Sequence, residues 1–322
     1  MKIKNFFMLI LAVVFAFGSL YFFSACKNQE TSSKISIVCT IFPEYDWVNN
    51  ILGDNKDNFN VKLLMATGAD LHSFRPSVEE IATVAMCDLF IYVGGESDDW
   101  VTKALANSVN ENMITINLLE VLGENAKLEE EKEGMQSESG EEAEEDGELD
   151  EHVWLSLKNA QIFVSEIANK ISALDQSNAE IYSQNASEYN GELSSLDAKY
   201  AQAVAAGSTK TLIFGDRFPF RYLVDDYNLN YYAAFKGCSA ETEASFETIT
   251  FLAQKVDELN IKYIFILEDS SADIASTIIA NTTSKNQQTI RINSLQGVTT
   301  SGYQSYLAAM KTNLEAIKLA VI

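Results

Sequence analysis

Histidine is nearly absent from this chain, with two among 322 residues, His72 and His152. Proline occurs three times and cysteine four times, and the cysteines show no CxxC spacing, which argues against a thiolate metal cluster. There is no HExxH, so the helical metalloprotease signature is missing. Basic residues are scarce too: 23 Lys and Arg face 46 Asp and Glu, for a net charge of −23. That sign excludes nucleic acid as a partner, because a phosphate backbone demands the opposite one. An acidic exterior favours cations instead. Beyond residue 23 no apolar run is long enough to cross a bilayer. What remains, at 47% hydrophobic content, suffices for a sizeable core and a length that usually divides into two domains.

The N-terminus carries an address. Lys2 and Lys4 precede an uncharged apolar run from Phe6 to Phe23, and small residues follow, which reads as a secretory signal over 1–25. The segment Phe23-Ser24-Ala25-Cys26 resembles the lipobox of bacterial lipoproteins. That resemblance implies cleavage before Cys26, a diacylglycerol on its thiol, and a domain held outside the cell membrane by a lipid anchor. An uncleaved membrane helix is the alternative, since the run approaches the ~20 residues that span a bilayer. Residues 26–34 are polar and read as a tether. Cys39, Cys87 and Cys238 remain, and sequence does not choose a disulfide among them.

Ile35 to Ile41 reads as a buried strand, followed by helical spacing from Tyr45 to Leu52. Val61 to Met65 is a second strand, Val78 to Met86 a helix, and Asp88 to Gly95 a third strand ending in a glycine turn. This alternation predicts an α/β fold with mostly parallel sheets. Residues 124–151 interrupt it with fourteen acids against two lysines and almost no large apolar side chain. They are expected to be a disordered acidic loop, with weak cation gathering as its functional reading. From Ser156 to about Ala205 the chain is helical in period. Ile181, Tyr182, Tyr189, Leu193, Leu196 and Tyr200 predict one long helix over 176–206, ~40 Å long and able to bridge two lobes. Apolar runs at 211–214, 231–235, 263–267 and 289–292 then repeat the βα rhythm. The expected plan is an N-terminal metal-binding lobe over 35–175 and a C-terminal one over 207–322.

Open α/β sheets bind ligands beyond the carboxyl ends of their strands. Asp216, Glu241, Glu243, Glu268 and Asp269 fall at such ends, as do His72 and, after the acidic loop, His152. Glu241 and Glu243 are equally compatible with a cap on the helix beginning near Phe246. Two imidazoles and one or two carboxylates would close around one ion between the lobes. Nitrogen and oxygen donors suit Zn²⁺ or Mn²⁺. A closed set of four ligands binds, whereas an open set of three can catalyse.

Several blocks resemble the zinc and manganese solute receptors of ABC transporters. They are Thr40 to Trp47, Gly68 to Ser77, Asp88 to Gly95, Asp150 to Ser156, Gly215 to Tyr222 and Ala240 to Ser245, which together span the chain beyond its leader. The resemblance implies two α/β lobes joined by a long rigid helix with the metal between them. It implies His72 and His152 as ligands, Asp216 where zinc-type relatives carry a third histidine, and a fourth ligand near Glu268. Asp269 and Glu243 are further metal candidates, and Asp70 and Arg217 are expected to orient ligands or lock the lobes. Relatives with a histidine-rich loop place it where residues 124–151 stand, yet that stretch holds no histidine. The expected function is capture of Zn²⁺, with Mn²⁺ as the alternative ion, and delivery to a membrane permease and its ATPase without catalytic turnover. A membrane-anchored zinc hydrolase and a surface adhesin are the competing readings from other classes.

Overall fold

The computed structural model describes residues 34–66, 70–136, 147–239, 243–296 and 305–322. The signal, Cys26 and Glu241 lie outside the described residues. Among the described residues no helix is long and apolar enough to cross a membrane.

Two four-stranded, all-parallel sheets carry the molecule. The first takes β1 (Ile35–Cys39), β2 (Phe59–Leu63), β3 (Leu89–Tyr92) and β4 (Ile114–Asn117) in the order β2-β1-β3-β4. The second takes β5 (Thr211–Phe218), β6 (Asn230–Lys236), β7 (Tyr263–Leu267) and β8 (Gln288–Ile292) in the order β6-β5-β7-β8. Both sheets therefore share one strand plan. Val38 and Cys39, Phe90 and Ile91, Ile213 and Phe214, and Ile264 and Phe265 are buried on successive positions, as expected for strands covered on both faces.

The helices in chain order are α1 (Phe42–Leu52), α2 (Val78–Met86), α3 (Asp99–Ala106), α4 (Leu118–Leu122), α5 (Leu157–Leu174), α6 (Ala179–Ala206), α7 (Arg221–Asp226), α8 (Phe246–Glu258), α9 (Asp273–Asn281) and α10 (Tyr306–Val321). The helical stretch after Ser156 breaks once, at Asp175. Its carboxylate takes hydrogen bonds from Ser177 Oγ (2.6 Å), Asn178 Nδ2 (2.8 Å) and Tyr182 Oη (2.7 Å), which turns the chain between α5 and α6.

Helix α6 has 28 residues, about 42 Å at 1.5 Å per residue, and links the two lobes. Along its first half Asn185 donates to Ile51 O and Tyr189 to Asp46, both on α1. Further on, Asp197 accepts from Tyr227 and Tyr200 donates to Met310 O, both beyond the first lobe. The main apolar core runs unbroken from Ile37 to Val321. Trp154 Nε1 donates to Ser294 O at 2.8 Å, and Tyr306 Oη donates to Trp154 O at 2.6 Å, so residues from both lobes meet in that core. A smaller cluster from Ile213 to Ile278 packs α8 and α9 onto the second sheet.

The acidic stretch differs from the expectation of disorder over 124–151: its flanks, 124–136 and 147–151, are fixed. Leu128 and Leu149 pair as an antiparallel bridge, and Glu129 N and Asp150 N donate to Glu148 O and Lys127 O, each at 2.8 Å. Gln136 N donates to Ala234 O on β6 at 2.9 Å, and Tyr231 Oη reaches Glu130 at 3.1 Å. Lys132 Nζ lies 4.5 Å from the Tyr231 ring centre. Backbone pairing, tyrosine hydroxyls and the buried Met135 thus hold a segment with few apolar anchors.

Candidate metal centre

After β2 the chain enters a single 3₁₀ turn, Leu71–Ser73. Asp70 caps it, its Oδ1 accepting the His72 N–H at 3.0 Å. The His72 ring then meets Ser97, with Nδ1 to Oγ at 2.8 Å. Ser97 in turn donates through Oγ (2.5 Å) and N (2.8 Å) to the Glu151 carboxylate. Gly95 permits that approach: it sits at φ +81°, and a Cβ there would lie 2.4 Å from Glu151 Oε1.

His152 is fully buried and precedes the turn Val153–Leu155. Asp150 Oδ1 accepts its backbone N–H at 2.9 Å and its Nδ1–H at 3.0 Å. Each Nδ1 therefore has an acceptor, which leaves each Nε2 with a lone pair directed inward. The two Nε2 atoms are 3.3 Å apart. Two nitrogens at ~2.0–2.1 Å from a tetrahedral zinc are separated by about 3.3 Å, so the imidazoles stand at chelating distance. The Gln296 amide nitrogen lies 3.0 Å from His72 Nε2 and 2.7 Å from His152 Nε2, offering one N–H to each. It stands where an ion shared by both rings would sit, so ion binding requires this side chain to swing aside.

The field differs at the two rings. Burial, then the neighbouring His152, pulls His72 down to about 3 despite the opposing Asp70. Burial pulls His152 down as well, but Asp150, Glu151 and Glu129 outweigh it and leave its pKa raised. Burial raises the carboxyls of Glu151 and Glu129.

Cys238 is the residue that sequence reasoning missed. It follows β6, and among the described residues His72, His152 and Cys238 form the group whose donor atoms all lie within 4.8 Å of one another. Neither Asp216 nor Glu268 belongs to that group. A glycine-cysteine pair at the carboxyl end of a strand was the available signal, and the missing CxxC spacing hid it.

The carboxylates expected as ligands form the opposite wall. Asp216 accepts the N–H of Arg217 (2.9 Å) and of Leu267 (3.1 Å), tying the ends of β5 and β7. Glu268 accepts Ser294 N (2.9 Å) and Oγ (2.8 Å), and burial raises its pKa. Both line a cavity of about 640 Å³ with His72, Cys238 and Gln296, and the exposed Asp269 stands at its edge. Glu243 is exposed just ahead of α8. Asp70 and Arg217 form an ion pair at 3.0 Å that joins the His72 turn to β5. A second cavity, about 330 Å³, is lined by His72, Glu96, Glu129, Glu148, Glu151 and Cys238 among others, an acidic approach suited to a cation.

A family model described as zinc-uptake complex component A, periplasmic (ZnuA), matches residues 37–320. The chain is 31% identical over 300 residues to the zinc-binding lipoprotein AdcA of Streptococcus pneumoniae, covering 92% of this chain and 58% of that one. It thus spans little more than half of that relative's length. It is 28% identical over 305 residues to the high-affinity zinc uptake system protein ZnuA of Bacillus subtilis, with 92% of each covered. In three dimensions it is similar to the Zn(II)-bound ZnuA-like domain of Streptococcus pneumoniae AdcA, at a TM-score of 0.69 and 28% identity, covering 90% of this chain and 99% of that one.

Proposed function

This chain belongs to the ZnuA family of zinc-uptake complex components, and on that premise we propose that it is an extracytoplasmic receptor that captures Zn²⁺ and passes it to an ABC permease. The ion is cargo, and the protein turns over no substrate. The observation that carries this reading is the pair of Nε2 atoms 3.3 Å apart, each ring fixed through Nδ1 by a carboxylate, directly in His152 and through Ser97 in His72. Such outer partners set the ring orientation and raise ligand basicity. His72 and His152 supply the nitrogen donors, and the wall carrying Asp216 and Glu268 supplies oxygen. The Asp70–Arg217 pair locks the lobes across the site. Cys26 takes the lipid that holds the receptor at the membrane.

Titration calorimetry of the purified full chain with Zn²⁺, repeated for His72→Ala and His152→Ala, tests the reading. One tight ion per chain, lost in both variants, is expected. Absence of tight divalent-metal binding to the unaltered chain contradicts it. In cells, a deletion strain should grow poorly under zinc chelation and recover with added zinc, and unimpaired growth would favour an adhesin instead.

A further inference from the structure

We propose that Cys238 is a zinc ligand, its thiolate completing a donor set with His72 and His152 and leaving the fourth place to one carboxylate of the Asp216–Glu268 wall. This rests on the zinc-receptor reading and goes further by naming a donor of a different chemical class. Three observations support it.

The first is convergence. One donor atom from each of His72, His152 and Cys238 lies within 4.8 Å of the others. Around a tetrahedral zinc, with bonds of ~2.0–2.1 Å to nitrogen and ~2.3 Å to sulfur, nitrogen and sulfur ligands stand about 3.6 Å apart. From a separation of at most 4.8 Å, the sulfur needs to close by no more than about 1.2 Å to coordinate. The second is access. His72 and Cys238 line both the acidic 330 Å³ cavity and the 640 Å³ cleft, so Cys238 borders the space an arriving ion would cross. Cys39 and Cys87, by contrast, are buried in the first lobe, and none of the three is in a disulfide.

The third is the backbone that brings the sulfur in. At Gly237 a Cβ would lie 2.8 Å from His152 Cε1 and 3.0 Å from Phe218 O, so only glycine lets the β6 turn press against the imidazole. The Cys238 N–H donates to Glu129 at 3.2 Å, which pins the turn to the acidic arm. On coordination the S–H bond breaks, the sulfur keeps the electron pair for zinc, and the proton leaves to solvent. Thiolate is a soft donor that selects zinc over manganese. A sulfur in the set would therefore settle the ion in favour of zinc, in a chain with no third histidine.

X-ray absorption on the unaltered full chain, purified in detergent and loaded with one equivalent of Zn²⁺, needs no variant. A sulfur scatterer at ~2.3 Å beside nitrogens at ~2.0–2.1 Å is expected. Cys238→Ser, checked for fold by circular dichroism, should lose that shell and bind zinc more than about 100-fold more weakly, beyond the usual effect of losing a ligand's outer partner. Cys238→Asp should shift competition between Zn²⁺ and Mn²⁺ toward manganese. A zinc-loaded chain with nitrogen and oxygen scatterers alone overturns the cysteine and leaves the histidine site standing. A chain that binds no zinc overturns both, and a Cys238→Ser chain with undiminished affinity overturns the cysteine.

Discussion

Replacing Asp150 by Asn probes how a residue beside the ion tunes it. Asp150 Oδ1 holds His152 twice, through the backbone N–H at 2.9 Å and through Nδ1 at 3.0 Å, around a ring with no exposure to solvent. Asparagine keeps the shape and an amide oxygen for the backbone N–H, but it removes the charge that polarises the imidazole. The carboxylate is also the strongest influence raising the His152 pKa against burial, so its loss makes Nε2 less basic. Loss of such an outer partner weakens metal binding by about 10–100-fold, which corresponds to about 1.4–2.8 kcal/mol. Competition calorimetry against a chelator of known affinity reads that change directly, and His152→Ala provides the limit of complete loss. Asp225→Asn, at an exposed ion pair with Lys127, should leave zinc affinity unchanged. If Asp150→Asn also binds zinc at full strength, the ring is oriented by packing alone and the electrostatic reasoning fails.

Three further outcomes follow from the geometry. Glu44 is fully buried, and burial, then Asp98, pushes its carboxyl up to about 8; because the folded state holds the proton more tightly, stability should fall as pH rises from about 4.5 to about 8, by a few kcal/mol at most. Glu44→Gln should flatten that slope in urea melts, and a wild-type stability that climbs across the window would contradict it. Gln296→Ala removes the amide that competes for both Nε2 atoms, so zinc affinity should rise about 30-fold, from two hydrogen bonds of roughly 1 kcal/mol each; weaker binding would make Gln296 a contributor to the ion's cage. Arg217→Ala breaks a partly exposed pair, so unfolding should change by less than about 1 kcal/mol while zinc release, followed by stopped-flow with a chelator, speeds up several-fold; unchanged release would deny the pair a locking role.

The strands were legible wherever β-branched and aromatic residues ran together, as at Ile35–Cys39 and Tyr263–Leu267. β4 was not, because Ile114-Thr115-Ile116-Asn117 is short and half polar, and it becomes a strand only by pairing with β3. The linking helix was expected from 176, and α6 begins at Ala179, because Asp175, Ser177 and Asn178 compete with a helix for its own backbone bonds. The acidic arm was misjudged because composition registers missing apolar anchors and not the edge of β6 or the hydroxyls of Tyr222 and Tyr231 that meet it. The two histidines stood out through their rarity, their places after a strand and after the acidic stretch, and the family-like blocks around them, and the structure brings them together from positions 80 residues apart in the chain. Cys238 and Gln296 were passed over, because a lone thiol at a strand end and a lone amide acquire meaning only from what the fold sets opposite them.

The most direct measurement of the central claim is anomalous diffraction at the zinc edge from crystals of the full chain grown with Zn²⁺. The account predicts one dominant peak between the lobes, ~2.0–2.1 Å from Nε2 of both His72 and His152, with Gln296 displaced. A zinc peak bound elsewhere, with the two imidazoles still bridged by the Gln296 amide, would contradict it.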